Sequence, residues 1–209
     1  MSHSDSTQTN RLLADVAEGD EAALDKLIRL HSPYLRRIVQ LRISPELKSR
    51  VDASDVIQET QMVVMRRIDE FVTKRPASFR VWLRSRALEQ LADQYRRHIT
   101  AEMRTVRREN NDASSMAIAR TLLSETPSKM LQRSELAEQV RDLIESLNEN
   151  DREMLTLRHA EGLTNGEISE ALNLDPKTAR KRYGRALRRL VEKAATAGLD
   201  ADLSWGQAK

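Results

Sequence analysis

The chain has 209 residues, enough for one or two domains, and only 3% of them are aromatic. Glycine and proline are few, so the composition disfavours an all-β fold and favours helices. Because the chain has no cysteine, a disulfide framework and a thiolate metal site are excluded. No apolar run reaches the length of a membrane span, and the first ten residues lack a signal-peptide core. We therefore expect a cytoplasmic all-α protein with no metal and no cofactor.

Apolar side chains at helical spacing predict a series of helices in the first domain, residues 1–98. A short helix is expected over 10–18, and Asp20 is suited to cap a second helix that ends near residue 31. Pro33 occupies a typical helix-start position, which predicts a separate helix to about residue 42. A strongly amphipathic helix follows over 54–72, and a further helix, capped by Ser78, runs to residue 98.

The periodic pattern fades over 99–130, where polar and turn-forming residues predict a flexible linker. Loops of this length are rare inside compact domains, so the linker indicates two domains. Four helices are expected in the second domain, residues 131–194, with Thr164 capping the third and Pro176 starting the fourth. Residues 195–209 are expected to form a frayed tail.

Charge is distributed unevenly along the chain, although the net charge is only +3. Residues 74–108 and 176–193 each carry a local charge of +7, whereas residues 109–175 carry −8. Of the 35 basic residues 27 are arginine, which suits bidentate contacts with phosphates and guanine edges. Two basic stretches separated by an acidic one indicate two contacts with a polyanion.

The strongest single pattern is a helix–turn–helix spacing in the second domain. A short helix over 165–172 is followed by a three-residue turn and a long basic helix that begins at Pro176. Such a pair packs its apolar faces together and presents the second helix to a DNA major groove. The side chains left for DNA or solvent are Lys177, Thr178, Arg180, Lys181, Arg182, Arg185, Arg188 and Arg189. The alternative is a helical hairpin with a solvated basic face.

Aromatic and cationic residues alternate on the helix predicted over 78–98. They are Phe79, Arg80, Trp82, Arg84, Arg86, Tyr95, Arg96 and Arg97. Cations can follow a phosphate backbone while flat side chains stack on unpaired bases, so this helix favours melted or single-stranded nucleic acid. Phe79 and Trp82 also lie on the apolar face, and the other interpretation is that both belong to the core.

The order and spacing of these features resemble the extracytoplasmic-function (ECF) RNA polymerase sigma factors in their two-domain minimal form. The run from Asp55 to Thr60 is similar to the helix with which the family binds core polymerase. The resemblance implies contacts with the clamp coiled coil of the largest subunit, made here by Asp55, Val56, Gln58 and Glu59. It also implies contact with the flap of the second-largest subunit, and an anti-sigma factor is a further partner that it suggests.

The motifs Phe79-x-x-Trp82-Leu83 and Asp93-x-x-Arg96-Arg97 resemble the family's promoter-melting helix. The loop Val72–Ser78 falls where the family captures a flipped base. The resemblance implies that the downstream promoter element is melted and read by Lys74, Arg75, Phe79, Trp82, Asp93, Arg96 and Arg97. Flipping a base out of the stack costs a few kcal/mol, which the capturing pocket must offset.

The second domain resembles the family's C-terminal domain. The matching residues are Leu147, Asp151, Arg152, Leu155, Leu157, Arg158, the run Glu161–Thr164, Glu167 and Ile168. The resemblance implies that the upstream promoter element is read as duplex by Lys177, Thr178, Arg180, Lys181, Arg182 and Arg185. It also implies a linker that threads toward the polymerase active site, and a chain that directs transcription initiation without being an enzyme.

The chain departs from the family pattern at two positions of the melting helix. Glu89 stands where the family often has Asn, and Arg86 stands where it often has an aliphatic residue. A carboxylate at this place would repel phosphate or accept a hydrogen bond from a cytosine amino group. These two residues therefore bear on specificity for the downstream element.

Three other functions compete with this interpretation. A conventional helix–turn–helix regulator would bind duplex DNA without polymerase, and an adaptor would bind polymerase without melting DNA, which Glu89 would permit. An enzyme acting on nucleic acid requires a catalytic cluster. The four histidines show no metal-ligand spacing, and the chain has no P-loop and no nucleophile motif.

Overall fold

The computed structural model describes residues 5–43, 51–98, 115, 118–119 and 130–199, and the chain divides into two compact units. Residues Met1–Arg107 contain the first unit and residues Arg108–Lys209 the second. The regular structure of the described ranges is helical throughout, which confirms the expected fold class. Within the segment predicted as a linker, the described residues are Ser115, Ile118, Ala119 and Met130. All four are helical, and Ser115, Ile118 and Ala119 are buried. Residues 200–209 of the predicted tail lie outside the described residues.

The first unit contains four described helices. They are α1 (Thr7–Ala17), α2 (Glu21–Arg42), α3 (Ala53–Lys74) and α4 (Phe79–His98). Aspartates cap two of them, because Asp20 accepts a hydrogen bond from the Ala22 amide at 2.8 Å and Asp52 accepts one from the Ser54 amide at 2.8 Å. Asp20 is the cap that the sequence predicts for the second helix.

Helix α2 runs without interruption through Pro33, so the prediction of two separate helices is wrong. A proline inside a helix costs roughly 3 kcal/mol because it removes a hydrogen bond and crowds the preceding turn. The apolar face continues on both sides of the proline, with Leu27 at 0% exposure, Leu35 at 1% and Ile38 at 0%. Burying each such side chain contributes about 1.5–3 kcal/mol, so packing against α1, α3 and α4 outweighs the local penalty.

An aromatic cluster lies at the centre of the first unit and joins α2, α3 and α4. The ring centroids of Phe71 and Phe79 are 5.5 Å apart, and those of Phe71 and Trp82 are 4.7 Å apart. The ring of His31 meets Phe79 edge-on at 4.9 Å. Phe79 is only 1% exposed and Trp82 is half-buried, so both rings contribute to the core.

The second unit contains the four expected helices. They are α5 (Met130–Glu145), α6 (Glu149–Leu155), which continues as a π-helical turn over Thr156–Ala160, α7 (Asn165–Ala171) and α8 (Pro176–Thr196). The predicted cap of α7 is present as a reciprocal pair, in which Thr164 Oγ1 accepts from the Glu167 amide at 3.2 Å and the Glu167 carboxylate accepts from the Thr164 amide at 2.8 Å. Asn173 adopts a left-handed conformation (φ +50°) and lets the chain turn directly into α8.

Each unit has one histidine that is withdrawn from solvent: His31 is buried and His159 is half-buried. In the first unit, His31 Nε2 lies 3.1 Å from Thr9 Oγ1, and in the second unit, His159 Nε2 lies 3.1 Å from the Tyr183 hydroxyl. Burial, together with the positive charge of a nearby arginine, lowers the pKa of both histidines to about 4. Both side chains are therefore neutral in the folded protein at neutral pH.

The low pKa values of the two histidines predict that the fold loses stability in acid. The unfolded chain protonates them at about pH 6.5, whereas the folded units resist protonation down to about pH 4, so stability falls as the pH is lowered between these values. The expected loss is at most about 1.4 kcal/mol per pH unit for each histidine. Thermal unfolding measured across this pH range tests the prediction. The variant His31→Gln should weaken the pH dependence of the first unit, and an unchanged pH profile would contradict it.

Candidate nucleic-acid interface

The cationic face of α8 is open to solvent. Five of the six side chains that the sequence assigns to duplex DNA are exposed, and these are Lys177, Arg180, Lys181, Arg182 and Arg185. The opposite face buries Ala179, Ala186 and Leu190 against the rest of the unit. Gly184 lies among the exposed cations, and nothing approaches within 4 Å of the place where its Cβ would be. The helix therefore presents a continuous positive surface, and at Gly184 no side chain covers the backbone.

The sixth predicted DNA-binding residue, Thr178, is half-buried at the first turn of α8. Its amide donates a hydrogen bond to Asp175 Oδ1 at 2.9 Å, which caps the helix. Hydrogen bonds from Thr178 hold the pKa of the Asp175 carboxyl below its usual value. Thr178 thus helps to fix the start of the helix on which the cations stand.

Two contacts fasten α8 to the rest of its unit. Arg189, which the sequence left available for DNA or solvent, forms an ion pair with the nearly buried Asp151 of α6. Tyr183 donates to or accepts from His159 Nε2 at 3.1 Å. Arg189 remains exposed, as the sequence predicts, while its guanidinium also neutralises a carboxylate of its own unit.

The exposed side of α3 carries a stripe of residues at helical spacing. Asp55 and Gln58, both assigned to polymerase binding, are exposed at its start, and Met62 and Met65 continue the stripe with 52% exposure each. Met65 was not singled out from the sequence, although the continued steps of three and four residues contain it. Flexible methionines on an exposed face suit an adaptable protein-binding surface.

The other two residues assigned to polymerase binding lie away from this stripe. Val56 is 0% exposed and packs in the core of the first unit, so its prediction as a contact residue is corrected. Glu59 faces α4, where it accepts a hydrogen bond from Gln94 Nε2 at 3.1 Å and approaches Arg97 Nη1 at 3.8 Å. Phe79 is likewise corrected as a contact residue, because its ring is buried.

Several predicted DNA-melting residues are paired with acids of the first unit. Lys74 donates to Glu70 at 2.8 Å, which holds the pKa of Glu70 below its usual value, and Arg96 pairs with Asp93. Arg75 ends α3 in a left-handed conformation (φ +40°) and donates to Asn10 Oδ1 at 3.3 Å. The cations are therefore assembled around the start and the end of α4, and their charges are partly balanced.

A cleft of about 250 Å³ lies beside the loop between α3 and α4. Its lining combines aromatic, cationic and acidic side chains, namely Arg67, Glu70, Phe71, Lys74, Pro76, Trp82 and Arg86. The sequence assigned Lys74 and Trp82 to promoter melting but missed Arg67, because an exposed arginine on an amphipathic helix carries no local signal of its own. A flat wall surrounded by donors can hold a planar group with acceptor atoms.

Arg86 and Glu89, the two departures from the family pattern, form an ion pair with each other. Arg86 Nη2 lies 2.6 Å from Glu89 Oε1, one helical turn away. Arg86 lines the cleft, and its side chain is 17% exposed. The negative charge of Glu89 is therefore largely balanced by Arg86. As a result, the pair repels a DNA phosphate less strongly than Glu89 would alone.

The described ranges contain neither a candidate metal site nor a candidate membrane span. No group of three or more His, Cys, Asp or Glu side chains in this part of the chain is arranged to hold a metal ion. None of the helices described combines the length and the apolar character needed to cross a membrane.

Comparison with known proteins matches both units. Residues 27–99 match the family model for sigma-70 region 2, and residues 137–190 match the model for sigma-70 region 4. The chain is 30% identical to the ECF RNA polymerase sigma-E factor of Haemophilus influenzae over 185 residues, 87% of this chain and 92% of that protein. It is 29% identical to the RNA polymerase sigma factor CnrH of Cupriavidus metallidurans over 197 residues, 91% of this chain and 94% of that protein.

A solved structure is also similar. The structure of CnrH in complex with the cytosolic domain of CnrY matches with a TM-score of 0.52 and 25% identity, covering 93% of this chain and 99% of that one. The two matched regions define a transcription factor of the sigma-70 type. The chain belongs to the ECF RNA polymerase sigma factors. Such factors are non-enzymatic regulators that direct core RNA polymerase to promoters, and the predicted family and function are confirmed.

The ion pair between Arg86 and Glu89 leads to a test on DNA. In Glu89→Gln, Arg86 loses its partner and becomes available to phosphate, so holoenzyme should bind single-stranded downstream-element DNA more tightly. The slope of log affinity against log salt should steepen by about 0.7, as for one added phosphate contact on a single strand. Fluorescence anisotropy at several salt concentrations measures this slope. Asp25→Asn, which removes an exposed carboxylate from α2, is the matched control, and equal slopes in both variants would contradict the prediction.

Proposed function

We propose that the two units of this sigma factor divide promoter recognition, so that the first opens and reads the downstream element and the second reads the upstream element as duplex. The observation that carries the proposal is the exposed cationic face of α8 on a helix–turn–helix. The assignment of residues 1–98 and 131–194 to these tasks, with 99–130 as their connector, is part of the proposal. Catalysis belongs to the polymerase, and the chain acts in the cytoplasm with it.

In the second unit, α8 enters the major groove and its exposed cations contact phosphates and base edges. Phosphate contacts fix the register of the helix on the duplex, and the few contacts with base edges supply specificity. Lys177, Arg180 and Lys181 occupy the first turns, which in helix–turn–helix proteins approach the bases most closely. Thr178 contributes mainly through its place in the helix cap.

In the first unit, the cleft beside the α3–α4 loop receives an unstacked base of the downstream element. Trp82 and Pro76 supply flat apolar walls, and Arg67, Lys74 and Arg86 supply positive charge around them. Stacking on an aromatic wall contributes about 1–3 kcal/mol per base, which is comparable to the few kcal/mol that flipping costs. Arg96 and Arg97, exposed near the end of α4, follow the phosphate backbone.

The stripe on α3 is the proposed surface for core polymerase. Asp55 and Gln58 supply polar contacts with the clamp coiled coil of the largest subunit, and Met62 and Met65 supply adaptable apolar area. The second unit contacts the flap of the second-largest subunit. The connector, residues 99–130, runs toward the polymerase active site.

An anti-sigma factor is the further partner that we propose. The similar structure of CnrH contains a bound protein segment, the cytosolic domain of CnrY. An occluding partner of this kind would keep the stripe on α3 or the face of α8 from polymerase and DNA until a signal releases it.

Reconstitution with core polymerase tests the proposal. Run-off transcription from a genomic library should give defined start sites with the chain and none without it. Asp55→Arg reverses a charge at the start of the α3 stripe, so we expect loss of co-purification with core polymerase and of transcripts while the fold is kept. Asp25→Arg on α2 makes the same charge change away from the stripe and should behave as wild type. Duplex binding with no affinity for polymerase would instead favour a conventional regulator.

The contribution of α8 is tested separately with Arg182→Ala. Removing one exposed cation should weaken promoter binding and reduce the slope of log affinity against log salt by about one unit. Lys193→Ala removes a cation from the last turn of the same helix and should leave the slope unchanged. If the slope of the Arg182 variant equals that of wild type, this side chain does not contact phosphate.

A further inference from the structure

The residues that precede α1 reach the start of the promoter-melting helix. Both carboxylate oxygens of Asp5 accept from the backbone amide of Phe79, at 2.8 and 3.0 Å. The Asp5 side chain is 1% exposed. A carboxylate at a helix N-terminus satisfies an amide that no helical carbonyl can reach and complements the helix dipole. Asp5 thus caps α4 from a position far away in the sequence.

The same segment also holds the opposite end of the loop. Arg75 Nη1 donates to Asn10 Oδ1 at 3.3 Å and lies 4.0 Å from Asp5 Oδ2. The Asn10 side chain in turn donates to the Asp5 carbonyl at 3.1 Å. Arg75 has a left-handed conformation that non-glycine residues adopt only when their surroundings hold them there. Both ends of the loop, Arg75 and Phe79, are therefore tied to Asp5–Asn10.

A second path leads from α1 to the cleft through side chains. Thr9 Oγ1 lies 3.1 Å from His31 Nε2, and the His31 ring meets the Phe79 ring at 4.9 Å. Phe79 contacts Trp82 with 5.8 Å between ring centroids. Trp82 and Pro76 line the cleft. The position of Trp82 in the cleft wall therefore depends, through His31 and Phe79, on Thr9 in the first turn of α1.

We propose that Asp5 is a positioning residue for base capture, which sets the shape of the loop Arg75–Ser78 and the angle of the Trp82 wall. The inference rests on the proposed function of the cleft. Asp5 touches neither DNA nor polymerase in this role. It acts through the Phe79 amide and Arg75, so its loss should affect the captured base and leave polymerase binding and upstream-element binding unchanged.

The test compares Asp5→Ala with Asp20→Ala in reconstituted holoenzyme. Asp20 caps α2 in the same unit, so both variants lose a helix cap of the same chemistry. Binding is measured on a forked downstream-element template that carries either a normal base or an abasic site at each position in turn. Wild-type holoenzyme should prefer the normal base at the captured position. Asp5→Ala should lose about fivefold in affinity on the normal template, the scale of one helix cap, and nothing on the abasic one.

The outcomes separate the two proposals. If the wild type binds normal and abasic templates alike at every position, the cleft captures no base and both proposals fail. If the wild type discriminates and Asp5→Ala discriminates equally, only the role of Asp5 is overturned. Equal losses by Asp5→Ala on both templates, or equal behaviour of Asp20→Ala, would mean general destabilisation and would also overturn it.

A conservative variant guards against misfolding of Asp5→Ala. Asp5→Asn keeps an oxygen that can accept from the Phe79 amide but removes the charge facing Arg75. Because Arg75 is partly exposed and 4.0 Å from the carboxylate, the ion pair is the weaker of the two contacts. We expect Asp5→Asn to recover most of the base discrimination, and a failure to do so with an unchanged thermal midpoint would contradict the capping role.

Discussion

Phe79 is the residue on which the geometry of the first unit depends. Its amide is held by Asp5, and its ring packs against His31, Phe71 and Trp82. The start of α4, the loop before it and the wall of the cleft therefore depend on the buried Phe79 ring and on the hydrogen bond from the Phe79 amide to the Asp5 carboxylate. A tightly packed aromatic cluster beneath the loop gives the cleft a fixed shape, which the proposed capture of a base would require.

The two nucleic-acid surfaces differ in how their charges are balanced. In the first unit, Lys74, Arg86 and Arg96 each pair with an acid on their own helix, and Arg97 approaches Glu59. The pairs of Lys74 and Arg96 are exposed, and exposed pairs contribute little to stability, typically about 0–1 kcal/mol, so DNA could replace these acids at small cost. On α8, most cations face solvent without such acids on the same face. In the proposed complex, the cations of α8 would therefore contact DNA directly, whereas those of the first unit would first have to leave their acidic partners.

Much of the fold could be predicted from local patterns. The amphipathic helices, the Asp20 cap, the Thr164–Glu167 capping box and the helix–turn–helix depend on spacings of a few residues, which the sequence displays directly. The prediction of a helix start at Pro33 is wrong because packing on three neighbouring helices overrides the local propensity of proline. Val56 and Phe79 show a related limit, since a family motif contains core residues as well as contact residues.

The contacts of Asp5 could not be predicted for a different reason. They join residues 74 positions apart, and no periodicity or cap motif links an aspartate to a distant amide. The ion pair between Arg86 and Glu89 lies at the other extreme. Their opposite charges and their spacing of three residues on one helix are a local signal for this ion pair.

Gly184 lowers the helix propensity of α8 in the middle of the cationic surface proposed to bind DNA. An exposed glycine inside a helix costs about 1 kcal/mol relative to alanine, because its backbone is freer in the unfolded chain. The neighbouring Tyr183 and the nearby Arg189 are held by His159 and Asp151, so α8 is clamped on both sides of this point. Because Gly184 has no side chain, DNA in the proposed complex could approach the backbone of α8 more closely there than at the neighbouring arginines.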